Sequence, residues 1–370
     1  MPDSSINLAI CIPTFRRAHL LARLLGDLSR QTIPAGRLIV VDGDPSSGEA
    51  GEVLAASAHR LGSGVVHVPS NHANLPYQRF LGWKAAAGAK WLLYLDDDMR
   101  LSHSNSLERL LRPLHAPHGR VVGATAEFDP SPWTASGDGR LEASKLPSAA
   151  DAMARLARRF GSSRHTPAGG LSPSGHRRPL TDRGKPYEVV GCLRGGAMAF
   201  RMSAITSECF SDALFAMYQR GYGRGEDTVL SRRVGTGGIL LTAFRAGIVH
   251  PQGHEPVAYR RGAFARGYSS AYSRRLLSDH YRGRETAKWT DRLALANSYA
   301  GHALLAWFRG LEARDKPACV FAWGYSLGAL RGLLQKPTSR LLTPEINWWA
   351  DAEAALAHAR SLAPASTWLP

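Results

Sequence analysis

Three aspartates in a row, Asp96, Asp97 and Asp98, follow directly on the apolar run WLLYL in the stretch WLLYLDDDMRLS, residues 91–102. Like charges at neighbouring positions repel strongly in a water-poor site, so such a triplet beside a buried strand needs a positive partner. A divalent cation answers that need best, because a hard metal ion offsets the repulsion and prefers carboxylate oxygen. In an extended chain the side chains of i and i+2 share a face. That spacing predicts that Asp96 and Asp98 serve one site and that Asp97 points the other way. Other acid-rich motifs do not fit. The D-x-D-x-T/V pattern of a haloacid-dehalogenase-type phosphotransferase fails at Arg100, and so does the helical D-D-x-x-D of a prenyl-diphosphate synthase. No G-x-x-x-x-G-K-S/T occurs, which excludes a P-loop, and no G-x-G-x-x-G follows the first apolar run, which disfavours a dinucleotide fold.

The elements that must position these acids alternate in type. LAICIPTF is an apolar, β-leaning run stopped by Pro13, and RRAHLLARLLGDLSRQ sets Leu20, Leu21, Leu24, Leu25 and Leu28 at helical spacing. RLIVVDGD, GVVHVPS and KWLLYLDDD read as further strands, EAGEVLAASAHRL and YQRFLGWKAAAG as further helices. Strand–helix alternation predicts an α/β fold, a mainly parallel sheet with helices on both faces. Ligands of such sheets bind at the carboxyl ends of the strands, where Thr14, Asp42 and Asp96 to Asp98 fall. Residues 129–186 are rich in Pro, Gly, Ser and Arg around one predicted helix, SAADAMARLARRF. A stretch that long and irregular reads as either a binding loop or a disordered segment. VVGCLRGGAMAFRMSAI predicts a strand, YGRGEDTVLSRRVGTG a turn and helix, and GILLTAFRAGIVHPQGH a strand pair ending at His250. From about residue 256 the pattern is mainly helical.

Composition bounds the function. A chain of 370 residues, 44% hydrophobic, buries a proper core. Cys11, Cys192, Cys209 and Cys319 stand far apart with no C-x-x-C pair, which argues against a zinc knuckle or a disulfide framework and for a reducing, cytoplasmic setting. The start MPDSSINLAICIP lacks the basic and apolar regions of a secretory signal, and no uncharged run reaches the ~18 residues of a spanning helix. The 46 basic against 30 acidic residues give a net charge of +16, which calls for a polyanionic partner: nucleic acid, anionic lipid or a phosphorylated substrate. Residues 259–284 alone carry seven arginines against one Asp, without the Gly-aromatic pattern of an RNA-binding strand.

Taken in order, these segments resemble the GT-A glycosyltransferases of family 2 over roughly residues 6–255. ICIPTFRR is similar to the family's opening strand and P-T-x-x-R turn, VVDGD to its second-strand segment, SNHANLPYQRFLGWKAA to its N-x-G-x-x-x-x-R-N-x-G helix entry, LDDDM to its D-x-D motif, RGGAMAFR to its acceptor-side segment, GRGEDTVLSRR to its E-D motif and IVHP to its strand ending in a histidine. Ala73 and Phe80 depart from the glycine and second asparagine of the helix entry, and VVDGDPSSGEA lacks the common D-D-G-S form. The resemblance implies a Rossmann-like GT-A catalytic domain at residues 1–255, with 129–186 as an acceptor-side insertion, followed by a helical region at 256–370. It implies that Pro13, Thr14, Arg16, Asp42, Asn71, Arg79, Asp96 and Asp97 bind a nucleotide-sugar donor, Asp42 at the base. It further implies Mg²⁺ or Mn²⁺ at Asp96, Asp98 and His250, with His254 a weaker alternative ligand, and an acceptor at Gly195 and Gly196. Asp227 is implied as the base that deprotonates the acceptor hydroxyl, with Glu226 as second choice, in a direct displacement that inverts the sugar's anomeric centre. In the segment HEPVAYRRGAFARGYSS, Arg260, Arg261 or Arg266 is placed to pair with the donor diphosphate, and Arg261 is taken as the donor contact.

The tail adds a question of partners. LALANSYAGHALLAWF and ACVFAWGYSLGAL are nearly uncharged, bounded by Lys and Arg, and include Trp307 and Trp323. Such helices suit an in-plane membrane contact, or else packing on the catalytic domain or a homodimer interface. The reading is therefore a cytoplasmic, metal-dependent glycosyltransferase, peripheral to the membrane if the tail meets lipid. It takes a UDP, GDP or dTDP sugar as donor and a glycan, lipid-linked saccharide or small molecule as acceptor, and no nucleic acid as partner. Two rivals remain: a nucleotidyltransferase, whose G-x-G-T-R loop is missing from PTFRRA, and a basic protein that binds nucleic acid or anionic membrane without catalysis.

Overall fold

The computed structural model describes residues 7–61, 64–115, 119–128, 169–170, 180, 184–251, 262–279, 289–312 and 314–362. Strand β1 (Leu8–Thr14), helix α1 (Ala18–Leu28), β2 (Arg37–Asp42), α2 (Glu49–Leu61), β3 (Val65–Pro69), α3 (Leu75–Ala85) and β4 (Trp91–Leu95) alternate as the apolar periodicity predicts. There follow β5 (Arg100–Leu101), α4 (Ser106–Leu111), β6 (Val121–Ala126), β7 (Tyr187–Val190), β8 (Ala197–Arg201), α5 (Asp212–Gln219), α6 (Glu226–Val234), β9 (Ile239–Ala243) and β10 (Ile248–Val249). Eight of these strands form one sheet in the order β3-β2-β1-β4-β8-β6-β9-β7. Strands β1 to β4 run parallel, β8 is antiparallel between β4 and β6, β9 is parallel to β6, and β7 closes the edge antiparallel to β9.

The first strands are apolar throughout because helices cover both faces of the sheet. In β1, Ala9 and Cys11 enter one core while Leu8, Ile10 and Ile12 enter the other; in β4, Leu92 and Tyr94 alternate likewise with Trp91, Leu93 and Leu95. Helix α3 lies so close on β1 that a Cβ at Gly82 would collide with Cys11 Sγ. Two sequence expectations change in detail. The single strand expected over VVGCLRGGAMAFRMSAI is two strands, β7 and β8, because the chain turns at Gly196 with φ of 96°. Strand β10 leaves the main sheet and pairs antiparallel with β5.

The C-terminal region is helical: α7 (Ala263–Asp279), α8 (Trp289–Glu312), α9 (Lys316–Leu334), α10 (Ser339–Leu342) and α11 (Trp348–Leu362). Helices α7, α8 and α9 share a small core of Ala271, Leu295, Tyr299, Tyr325 and Ala329. Helices α7 and α9 cross in backbone contact, Gly324 and Gly328 facing the carbonyls of Phe264 and Tyr268. Helix α11 returns to the sheet, burying Trp348 and Leu356 in the core that holds α3, and Asp351 meets His72 Nε2 at 2.9 Å. Among the described residues no helix is long and apolar enough to cross a membrane. The helix expected over SAADAMARLARRF lies outside the described residues, as do most of 129–186 and the side chains of His254, Arg260 and Arg261.

Candidate active site

The acidic triplet does not continue the strand. Strand β4 ends at Leu95, the Asp96 N–H donates to the Gly196 carbonyl at 2.8 Å, and the Met99 N–H closes a turn on the Asp96 carbonyl at 3.1 Å. The alternation expected for an extended chain is therefore replaced by a fan, in which Asp96 turns to Arg79 while Asp97 and Asp98 share Arg17. Asp96 accepts from Arg79 at 2.9 Å. Asp97 is buried, accepts from the Thr14 hydroxyl at 2.8 Å and meets Arg17 at 3.3 Å. Burial pushes the Asp97 carboxyl up to about 6, against the pull of Thr14 and Arg17. Asp98 meets Arg17 at 3.3 Å and lies 3.5 Å from His250 Nε2. Burial would raise the Asp98 pKa, but His250 and Arg17 outweigh it and hold it below the ordinary carboxylate range; Asp98 in turn raises that of His250.

His250 reaches Asp98 through a ladder two residues long. Val249 pairs with Arg100 and Ile248 with Leu101, so the residue that follows β10 falls beside the acidic turn. Asp27, buried on α1, fixes the other side of that ladder by accepting from Arg100 Nε at 2.6 Å and the Leu101 N–H at 3.1 Å.

A second group of acids opens helix α6. Arg79, fully buried on α3, spans both groups, donating to Asp96 and, at 2.7 Å, to Glu226. Glu226 also accepts from the Tyr218 hydroxyl. Burial raises its pKa, Arg79 opposes that, and Asp227 adds to it. Desolvation works against the Arg79 charge, but Asp96 and Glu226 more than restore it. Asp227 faces differently: its Oδ2 accepts from the Gly195 N–H at 2.8 Å and its Oδ1 from the Thr228 N–H at 2.7 Å. The Gly195–Gly196 turn therefore touches both groups, Gly195 through Asp227 and Gly196 through Asp96.

The remaining predicted positions fall around this centre or away from it. Pro13, next to last in β1, lies beside Val41 of β2. Asp42 is buried at the end of β2, accepting from the Asp44 N–H at 2.9 Å and facing His67 Nε2 at 3.2 Å. Arg16, exposed with φ of 54°, pairs with Asp44 and not with the triplet. Asn71 is exposed before α3. Arg266 lies within α7 and not in a loop. Residues that sequence reasoning passed over do much of the holding. Arg17 bridges Asp97 and Asp98, and the P-T-x-x-R spacing counted from Pro13 ends on it. Asn74 caps α3 and donates to the Phe215 carbonyl at 2.7 Å. Gln78 donates to the carbonyls of Thr14 and Val41 at 2.9 Å each, pinning two strand ends together.

A divalent cation fits part of this arrangement. Asp98 Oδ1 is buried without a hydrogen bond and faces the imidazole nitrogen of His250, an oxygen–nitrogen pair open to one ion. Among the described residues no cluster of three His, Cys, Asp or Glu side chains completes a cage. That suits an ion that takes one or two protein ligands and fills its shell from substrate phosphates and water.

The carboxylates gathered from strand ends and a helix N-terminus lie at the carboxyl ends of parallel strands, where α/β enzymes bind their ligands. The profile of the family described as Glycosyl transferase family 2 matches residues 9–202, more than half of the chain, and the chain belongs to that family. It is a glycosyltransferase. No curated protein matches the sequence. Solved structures similar to it include the mannosyltransferase PcManGT from Pyrobaculum calidifontis in complex with GDP-Man and Mn²⁺, at 14% identity over 88% of this chain and 87% of that one, TM-score 0.47. TarS 1–349 of S. aureus is similar at 13% identity over 96% and 87%, TM-score 0.49. Glucosyl-3-phosphoglycerate synthase from Mycobacterium tuberculosis is similar at 15% over 75% and 81%, TM-score 0.39.

Proposed function

We propose that the enzyme transfers a sugar from a nucleoside-diphosphate donor to an acceptor hydroxyl with inversion, using a divalent cation and Asp227 as base. The observation that carries the reading is the Gly195–Gly196 turn, which holds the acid proposed as base on one side and the acidic turn of β4 on the other. Asp98 and His250 would hold Mg²⁺ or Mn²⁺, which when bound stabilises the charge that grows on the departing diphosphate. Asp97, kept in place by Thr14 and Arg17, and Asp42, kept by the Asp44 N–H, set the floor on which ribose and base lie. Arg79 pairs with Asp96 and Glu226 and offsets part of their charge, which lowers their repulsion of the incoming phosphates. Asp227 takes the acceptor's proton as its oxygen attacks; the new C–O bond forms on the face opposite the one where the bond to diphosphate breaks. The Gly195 and Thr228 N–H groups hold the two Asp227 carboxylate oxygens in place for this step. The acceptor is a glycan, a lipid-linked saccharide or a small hydroxylated molecule, and the setting is cytoplasmic.

Thermal-shift titration with UDP, GDP, dTDP and CMP, with and without Mn²⁺, tests the donor, because a ligand bound to the native state raises its melting temperature. One nucleoside diphosphate should stabilise the protein only with metal. Asp227→Asn should bind it as the wild type does and show no turnover; near-normal turnover in that variant overturns the base assignment.

A further inference from the structure

Helix α9 turns Gly324 and Gly328 toward α7 and leaves a regular apolar stripe on its other side. Val320, Trp323, Leu327, Leu330 and Leu334 recur at alternating steps of three and four residues, and all five are exposed, Trp323 and Leu330 at 54% and Leu334 at 79%. The neighbouring helix α8 carries Leu293, Ala300, Leu304 and Leu311 exposed at a matching spacing. The two helices are joined by a short turn, and the Trp307 indole donates to Ser326 Oγ across them at 3.2 Å. With about 100° per residue, both stripes lie opposite the core formed by Leu295, Tyr299, Tyr325 and Ala329, side by side on one surface. Together they form an apolar face shared by two helices, and a contiguous exposed face of this kind marks an interaction site.

The charges around it select the occupant. Residues 289–342 contain seven Lys and Arg against three Asp and Glu, and the whole chain carries +16. Arg292, Arg314, Lys316, Lys336 and Arg340 are exposed about the ends of the stripes, with Asp315 the exposed acid among the described residues there. Pairing with a helix from a second copy is favoured by opposite charges flanking the seam. The flanking positions of α9 hold Cys319, Gly324, Ser326, Arg331 and Leu333 instead, and Arg331 is engaged by the Tyr268 hydroxyl. An apolar face ending in cations, with a tryptophan near its middle, matches an anionic lipid surface.

From this geometry we infer that the paired α8 and α9 face is a docking surface for an anionic phospholipid bilayer, the helices lying in the plane of the headgroups. This surface does not depend on the sugar-transfer reading, although it places an acceptor embedded in the bilayer within reach of the same enzyme. Co-sedimentation of the full chain with vesicles of phosphatidylglycerol and phosphatidylcholine in equal parts, and with phosphatidylcholine alone, tests it. Expected is binding to the anionic vesicles that weakens as salt rises, and a loss of about tenfold or more in partition for Leu327→Glu/Leu330→Glu with an unchanged melting temperature. Trp323→Phe provides a second measurement: brominated phosphatidylcholine in the anionic vesicles should quench wild-type fluorescence, and the substitution should remove part of that quenching. Absence of binding, or binding unaltered in the double variant, overturns the inference. So does a wild-type dimer in sedimentation velocity that the double variant makes monomeric, with no vesicle binding, because the occupant is then a second copy. Metal-dependent nucleotide binding, measured separately, distinguishes failure of this surface from failure of the transferase reading.

Discussion

Gly195→Ala isolates the base from the rest of the site. A Cβ at Gly195 would stand 2.9 Å from Asp227 Oδ2, 3.2 Å from its Cβ and 3.3 Å from its Cγ. The closest of these is about 0.5 Å inside ordinary contact. Gly195 has no positive φ, so alanine brings no backbone strain there. What it meets is the end of a side chain, and so Asp227 moves while the sheet stays. The movement stretches the 2.8 Å bond from the Gly195 N–H, a loss of roughly 1 kcal/mol, or a melting temperature lower by about 2 °C in a chain of this size. Turnover should suffer far more, because misplacing a reacting group by ~1 Å lowers the rate on the order of 10²-fold. Steady-state assays with the donor that thermal shift identifies, run beside nucleotide titrations, should show a kcat about 10²-fold down with nucleotide affinity unchanged. Gly196→Ala gives the comparison: with φ of 96° and a Cβ 2.9 Å from the Phe128 ring and 3.0 Å from Met99 Sδ, it should lower stability as well, by roughly 1–3 kcal/mol. A Gly195→Ala enzyme that is folded and turns over within about threefold of wild type, less than 1 kcal/mol in the barrier, refutes the argument that the turn positions the base.

Other perturbations separate the remaining parts. Asp98→Asn should abolish the metal-dependent rise in melting temperature given by the matching nucleoside diphosphate, while metal-independent effects persist. Arg79→Met leaves Asp96 and Glu226 without their shared counter-charge inside the protein; chemical denaturation should show a loss of roughly 3–5 kcal/mol. Gly324→Ala and Gly328→Ala put a methyl group against the backbone of α7, and each should lower stability by roughly 1–3 kcal/mol, with earlier proteolytic cleavage in the C-terminal region than in the sheet.

The parts of this protein legible in its sequence are those that local physics decides. Strands β1, β2 and β4 show as unbroken apolar runs because helices cover both their faces, and α2 falls where its periodicity places it, at Glu49–Leu61. The acids that the sheet gathers could also be picked out, since strand ends and the E-D helix start are visible as motifs. Their orientations could not. Alternation predicted Asp96 and Asp98 on one face, but Gly196, a hundred residues further on, takes the Asp96 N–H and turns the chain, so that Asp96 goes to Arg79 and Asp98 to His250. The β5–β10 ladder that delivers His250 is two residues long, too short to leave a periodic signal. Arg17 and Gln78 act through atoms made neighbours only by the sheet: a carboxylate pair for one, two strand-end carbonyls for the other. Pairings of high sequence separation thus set the angles of a centre whose acids local pattern already marks. This is why the joint order of weak motifs pointed to the family while saying little about which carboxylate meets which cation.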